Sequence, residues 1–207
     1  TGRIRDQWHT MTRTGLAARL SSHIDEPFAE IHPSDALAFG IVDRGLVAVE
    51  TEHGRAVVRA SVTDGVQAGA VFAPIHWSDV NSSAARVGAL VHNAVDPISG
   101  QPDSKATPAR IRPVAAKVFG FLLSADDIQA DAKNELHYWA TARVANGYLT
   151  KFALQTSYED ALAIAGGMLA TSERMTFSDD QAGVHRAAGL RGSPRRQEQI
   201  GRASCRE

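Results

Sequence analysis

The spacing of apolar residues changes near Val118, and that change divides the chain into two regions. From Phe28 to Pro74 the apolar positions come in short runs between turn signals, as in a small β region. Phe28-Ala29-Glu30-Ile31 predicts a strand. His32-Pro33-Ser34-Asp35 predicts the start of a short helix, with Pro33 near its first position and an acid at its positive end. Leu37 and Phe39 are the candidates for its buried face, and Gly40 for its stop. Asp43-Arg44-Gly45 turns the chain into a strand over Leu46 to Thr51, and His53-Gly54 turns it again. Ala56 to Thr63 alternates, with Val58, Ala60 and Val62 on one face and Arg59 and Ser61 on the other. Asp64-Gly65 and Gly69 precede a run from Ala70 to Pro74. Val80 to Lys105 has no regular period; Asp96-Pro97, Ser99-Gly100 and Gln101-Pro102 mark an ordered or ligand-covering loop. Ala109 to Val114 predicts a last strand, with Pro113 near its end. Short strands with one helix and a continuing apolar face suggest a small closed barrel, and an open β-sandwich has the same periodicity.

Beyond Val118 the spacing becomes helical. Asp126 to Val144 has the Ala, Leu, Lys and Glu content of a helix, with Leu136, Trp139, Ala140 and Arg143 at helical intervals. Tyr158 to Leu169 predicts another helix, capped by Ser157 with Glu159 and Asp160 in its first turn. Met175 to Leu190 predicts a strand and a partial helix. The region from 118 to 192 is thus expected to be a small α+β appendage. Ile200 to Glu207 reads IGRASCRE, which resembles one translated frame of a sequencing adapter. Residues 193–207 are accordingly expected to be a disordered, artefactual tail, and the chain a fragment open at both ends.

Composition narrows the function little. The 43% hydrophobic and 22% charged shares are those of an ordinary globular protein. A formal net charge of −1 gives no reason to expect nucleic acid or a membrane surface as partner. No apolar run reaches membrane-spanning length. Cys205 is the only cysteine, so neither a disulfide framework nor a cysteine metal site is expected.

The chemistry is concentrated in Thr1 to Thr14, TGRIRDQWHTMTRT. Thr1-Gly2-Arg3 offers a hydroxyl, a bare backbone and a guanidinium fork suited to phosphate. Trp8-His9-Thr10 adds a flat ring, a donor/acceptor imidazole and a second hydroxyl, and Met11-Thr12-Arg13 adds another cation. Taken singly, Thr1-Gly2-Arg3 also suits a strand-end turn, Trp8 and His9 a half-buried core pair, and Arg13 a solvated surface.

These motifs, with His32-Pro33-Ser34-Asp35-Ala36, the Gly45 hairpin, Phe72 to Trp77 and Asp96-Pro97-Ile98-Ser99-Gly100-Gln101-Pro102…Lys105, occur in an order that resembles one family. They resemble the C-terminal molybdopterin-dinucleotide-binding domain of the bis-guanine-dinucleotide molybdenum oxidoreductases. Within that superfamily, Thr1-Gly2-Arg3…Gln7-Trp8-His9-Thr10…Thr12-Arg13-Thr14-Gly15 and His76-Trp77 resemble assimilatory nitrate reductase catalytic subunits. Phe119-Gly120-Phe121, His137-Tyr138-Trp139 and Tyr148…Phe152 resemble the stretch that follows this domain there.

The resemblance implies a mainly β fold with helices: a double-psi, aspartate-decarboxylase-like β-barrel over 1–117, followed by the appendage. It implies bis-molybdopterin guanine dinucleotide (Mo-bis-MGD) as cofactor and a [4Fe-4S] cluster in a missing N-terminal part. The other partners it implies are the missing N-terminal domains, an electron donor protein or domain, and nitrate. It also implies a cytoplasmic setting. The missing domains would supply the molybdenum ligand, so no catalytic or metal-ligating residue is expected in this chain. Thr1, Gly2, Arg3, Trp8, His9, Thr10, Thr12, Arg13, His76, Trp77 and Lys105 are the implied cofactor-binding residues; His76 and Trp77 suit a packing role equally well. Gly88 stands where family members carry an Asn or an acid, so one pterin interaction is either missing or supplied instead by Asn81 or Asn93. A formate dehydrogenase or another molybdopterin oxidoreductase would share this domain. A non-catalytic barrel that binds a protein partner is the alternative from another class.

Overall fold

The computed structural model describes residues 1–169, 173–179, 184–190 and 202–204. They are mainly β with a few short helices and fall into two compact units. The first unit comprises Thr1–Leu16 and Glu26–Val114; the second comprises Ala17–Asp25 and the chain from Ala115 onward. Ala17–Asp25 thus lies outside the unit in which the sequence pattern places it. Its helix α1 (Ala18–Ser21) packs on a strand of the second unit, and Asp25 accepts a 2.7 Å ion pair from Lys151.

In the first unit, β1 (Phe28–Ile31) leads into α2 (Pro33–Phe39). Pro33 occupies the first turn, the His32 ring accepts the Ser34 N–H at 3.2 Å, and Gly40 closes the helix in the left-handed conformation. The buried face of α2 is not the one expected. Leu37 and Phe39 are 85% and 54% exposed, and the buried positions are Ala36 and, past the Gly40 turn, Ile41. Seven residues make only two turns, and the Ile41 N–H bonded to the Ala36 carbonyl sets which side of those turns faces inward.

β2 (Leu46–Glu50) and β3 (Arg55–Val62) follow as an antiparallel pair, with Val47 opposite Val58. β3 also runs parallel to β1, with Ala29 opposite Ala60. Val57 is buried together with Val58 and Ala60, so β3 is covered on both faces there rather than on one, whereas Val62 is half-buried. β4 (Val71–Phe72) and β5 (Arg110–Val114) complete the order β4-β1-β3-β2-β5. Pro113 is tolerated because β5 is an edge strand, hydrogen-bonded to β2 alone. Between β4 and β5 the only helical piece is a single 3-10 turn over Val87–Ala89.

The second unit is built on an antiparallel sheet: β6 (Val118–Ser124), β7 (Tyr138–Val144), β8 (Gly147–Leu154), β9 (Glu173–Asp179), β10 (Val184–Leu190) and β11 (Arg202–Ser204), in the order β7-β8-β6-β11-β10-β9. The helix expected over Asp126 to Val144 is absent. One helical turn, α3 (Ala130–Lys133), is followed by β7, in which Tyr138, Ala140 and Ala142 are buried at period two. Helix propensity is a weak preference, and pairing with β8 through the two-residue turn Ala145-Asn146 overrides it. Lys133 ends α3 turned inward, its ammonium 2.7 Å from Asp127 and 4.6 Å from the centre of the Trp139 ring.

The helix expected after Ser157 forms as α4 (Tyr158–Gly167), with the Ser157 hydroxyl accepting the Asp160 N–H at 3.1 Å. The partial helix expected within Met175 to Leu190 is instead β10, paired along its length with β9. Of the expected tail, residues 193–201 and 205–207 lie outside the described residues, and Arg202–Ser204 form β11. Val118, Leu122, Ile128, Leu136, Phe152, Leu154 and Ala161 make this unit's core. Gly147 sits where any side chain would overlap the Ser124 carbonyl, a backbone group that cannot swing aside. Gly147→Ala is expected to cost about 1–3 kcal/mol, read as a lowered urea midpoint at constant m-value.

Candidate functional site

The opening residues are laid along the segment from Phe72 to Trp77. Gly2 bridges Pro74 in parallel, and its carbonyl accepts the Ile75 N–H at 3.0 Å. A Cβ on Gly2 would stand 3.0 Å from the Phe72 ring, so the bare backbone is what lets the two segments approach. The Thr1 hydroxyl donates to the Ala73 carbonyl at 2.6 Å. Thr1 and Gly2 therefore hold a seam within the protein, and the hydroxyl expected to face a phosphate has an internal partner.

His76 is fully buried, with both ring nitrogens engaged. The Ile4 N–H donates to Nε2 at 3.0 Å, and Nδ1 lies 2.6 Å from the His9 carbonyl oxygen. Burial holds its pKa below the ordinary imidazole value; the hydrogen bond to His9 opposes the shift, and the charges of Arg3 and His9 add to it. Trp77 is 2% exposed and packs edge-on against Phe28 with ring centres 6.4 Å apart. Neither His76 nor Trp77 presents surface to a ligand; they form the support.

The exposed side carries the remaining expected groups. The Arg3 guanidinium lies 4.4 Å from the centre of the Trp8 ring, and Trp8 meets His9 edge to face at 4.8 Å. Thr10 and Thr12 share a 3.2 Å hydroxyl hydrogen bond, and Arg13 is exposed on the same loop. Two residues to which sequence reasoning gave no role close this loop. The Thr14 hydroxyl donates to the buried Gln7 side chain at 2.6 Å and accepts the Trp8 N–H at 3.4 Å. Their seven-residue separation carries no local signal; only the ordered motif contained them.

Charge distinguishes the cations of this region. Arg5 is held by Asp6 through two 2.9 Å hydrogen bonds. Among the described residues, Arg3, Arg13 and Lys105 have no carboxylate partner. Lys105 lies within electrostatic reach of the Thr1 backbone nitrogen. Gly88 is exposed on its 3-10 turn with open space where a side chain would go. Of its two proposed substitutes, Asn81 already accepts the Ser78 N–H at 2.9 Å, and Asn93 is exposed.

Cations without carboxylate partners, beside a flat ring and the exposed Thr10–Thr12 hydroxyl pair, suit an anionic ligand with an aromatic part. No cluster of His, Cys, Asp and Glu among the described residues could hold a metal ion, and none of their helices is long and apolar enough to cross a membrane.

Residues 1–108 match the family model described as the molydopterin dinucleotide binding domain. The chain is 43% identical to a nitrate reductase of Klebsiella oxytoca over 111 residues, 54% of this chain and 13% of that protein. It is 36% identical over 114 residues to the assimilatory nitrate reductase catalytic subunit of Bacillus subtilis, 55% of this chain and 16% of that one. It is 33% identical over 118 residues to formate dehydrogenase H of Escherichia coli, 54% and 15% respectively. The chain thus spans only 13–16% of the length of these relatives.

Proposed function

The chain belongs to the molydopterin dinucleotide binding domain family, and from that premise we propose that it is the cofactor-binding C-terminal part of a molybdenum oxidoreductase reducing nitrate to nitrite. The observation that carries the reading is the exposed row Arg3–Trp8–His9 beside cations that lack carboxylate partners. A pyrophosphate needs fixed positive charge, and a pterin needs a flat neighbour with donors and acceptors at its edges. Arg3, Arg13 and Lys105 would hold the first; Trp8, His9, Thr10 and Thr12 would meet the second. His76 and Trp77 would act from beneath, and Thr1 and Gly2 through the seam. When bound, bis-molybdopterin guanine dinucleotide supplies two-electron chemistry at its molybdenum; this chain binds and orients it.

The parallel pairing of β1 with β3 inside an otherwise antiparallel sheet supports the finer reading of a double-psi barrel over 1–117, with 118–192 as its appendage. An N-terminal [4Fe-4S] cluster, a separate electron donor and a cytoplasmic setting belong to the same proposal. The match to a formate dehydrogenase, at 33% identity against 43% for the Klebsiella oxytoca nitrate reductase, supports formate oxidation as the second reading.

The test is to purify the intact enzyme that contains this chain and measure molybdenum, guanine nucleotide and turnover on nitrate and on formate. Nitrate turnover with stoichiometric guanine nucleotide is the expected result. Formate turnover would transfer the reading to the second substrate, and a preparation without pterin would overturn both.

A further inference from the structure

We infer that His76 is a positioning residue that holds the Trp8–Met11 turn, and with it the groups offered to the cofactor, as a neutral imidazole protonated on Nδ1. The inference rests on the cofactor-site reading above. The contacts leave one position for the proton. Nε2 receives the Ile4 N–H, so it carries the lone pair; the His9 carbonyl can only accept, so Nδ1 carries the hydrogen. A doubly protonated ring would set an N–H against the Ile4 N–H. The charged and titratable groups facing the ring are Arg3 and His9, and the charge of each opposes a second proton.

The turn needs such a holder. His9 and Met11 both have positive φ, at 48° and 60°, in a region that costs an L-residue roughly 1–2 kcal/mol. Met11 is buried, and its N–H closes the turn on the Trp8 carbonyl at 3.1 Å. With the His9 carbonyl drawn inward to Nδ1, the Trp8 and His9 side chains are left exposed, Trp8 under the Arg3 guanidinium. Removing the Nδ1 donor leaves that carbonyl without its partner and frees the turn to relax toward right-handed φ, which separates the row Arg3–Trp8–His9.

Two measurements test this, one independent of the cofactor. On the 207-residue chain, nitrogen–proton correlation spectra of the histidine rings at about pH 6, below the ordinary imidazole pKa of about 6.5, should show His76 neutral and protonated on Nδ1. Exchange of the Met11 amide should accelerate at least about tenfold in His76→Phe and His76→Gln, and stay within about threefold of the parent in His76→Asn. The Asn amide can stand near the Nδ1 position, whereas the Gln amide reaches only toward Nε2. In the intact enzyme, pterin content should fall in the Phe and Gln variants and recover in the Asn variant, with Arg3→Ala measured alongside.

A cationic or Nε2-protonated His76, or unchanged Met11 exchange in the Phe and Gln variants, overturns the clamp. Faster Met11 exchange with full pterin in those variants, while Arg3→Ala loses pterin, overturns the positioning role and leaves the cofactor reading intact. Full pterin in Arg3→Ala takes Arg3 out of the cofactor site, and the clamp is then decided by the ring spectrum and Met11 exchange alone.

Discussion

Arg3→Ala in the intact enzyme should lower the affinity for the pterin dinucleotide by roughly 10- to 100-fold, the range expected for losing a charge-assisted hydrogen bond of about 1.5–3 kcal/mol. Arg3 is exposed, has no carboxylate partner among the described residues, and lies on the Trp8 ring. Its fold contribution is therefore small, within about 0.5 kcal/mol as for other exposed substitutions, and thermal unfolding should barely move. Arg3→Lys should fall between the two, since the ammonium keeps the charge and loses the planar fork. Arg5→Ala is the matched control: its guanidinium belongs to Asp6 through two 2.9 Å bonds, so its removal should leave pterin content unchanged. Full pterin and molybdenum in the purified Arg3→Ala enzyme would remove Arg3 from the site.

The sequence made some of this site legible because local chemistry and motif order coincided there. Arg3, Trp8 and Arg13 declared their type within a few residues, and the helix cap at Pro33 and Gly40 needed only its own turn. What stayed hidden depended on distant partners. The Thr1 hydroxyl and the His76 ring look available for a ligand until the fold brings Ala73 and His9 against them, 72 and 67 residues away in sequence. Trp139 fits a helical stripe with Leu136 and Ala140 equally well, and only its pairing opposite Phe152 decides for a strand. Leu37 and Phe39 mislead for a related reason, because hydrophobicity names candidates for burial but does not set the rotation of a two-turn helix.

Phe152→Ala should destabilise the second unit by about 3–5 kcal/mol, at the large end for a single core truncation. Phe152 is 3% exposed and belongs to the cluster of Val118, Leu122, Ile128, Leu136, Leu154 and Ala161. It pairs directly with Gly120 on β6, and a Cβ built on Gly120 would come within 2.5 Å of the ring tip. The ring therefore occupies the space that the glycine leaves, and truncating it opens a hole lined on that side by bare backbone. Little can collapse into such a hole, which puts the cost above transfer of the ring alone. The same geometry predicts the sign of a double-mutant cycle. Gly120→Val should be destabilising alone, because it drives a side chain into the ring. Combined with Phe152→Ala, it refills part of the vacated space, so the double variant should lose less than the sum of the single losses by about 1 kcal/mol or more. Urea unfolding followed by circular dichroism gives all four corners of the cycle. Strict additivity would mean that Phe152 does not fill the Gly120 notch, and that the core of this unit is held elsewhere.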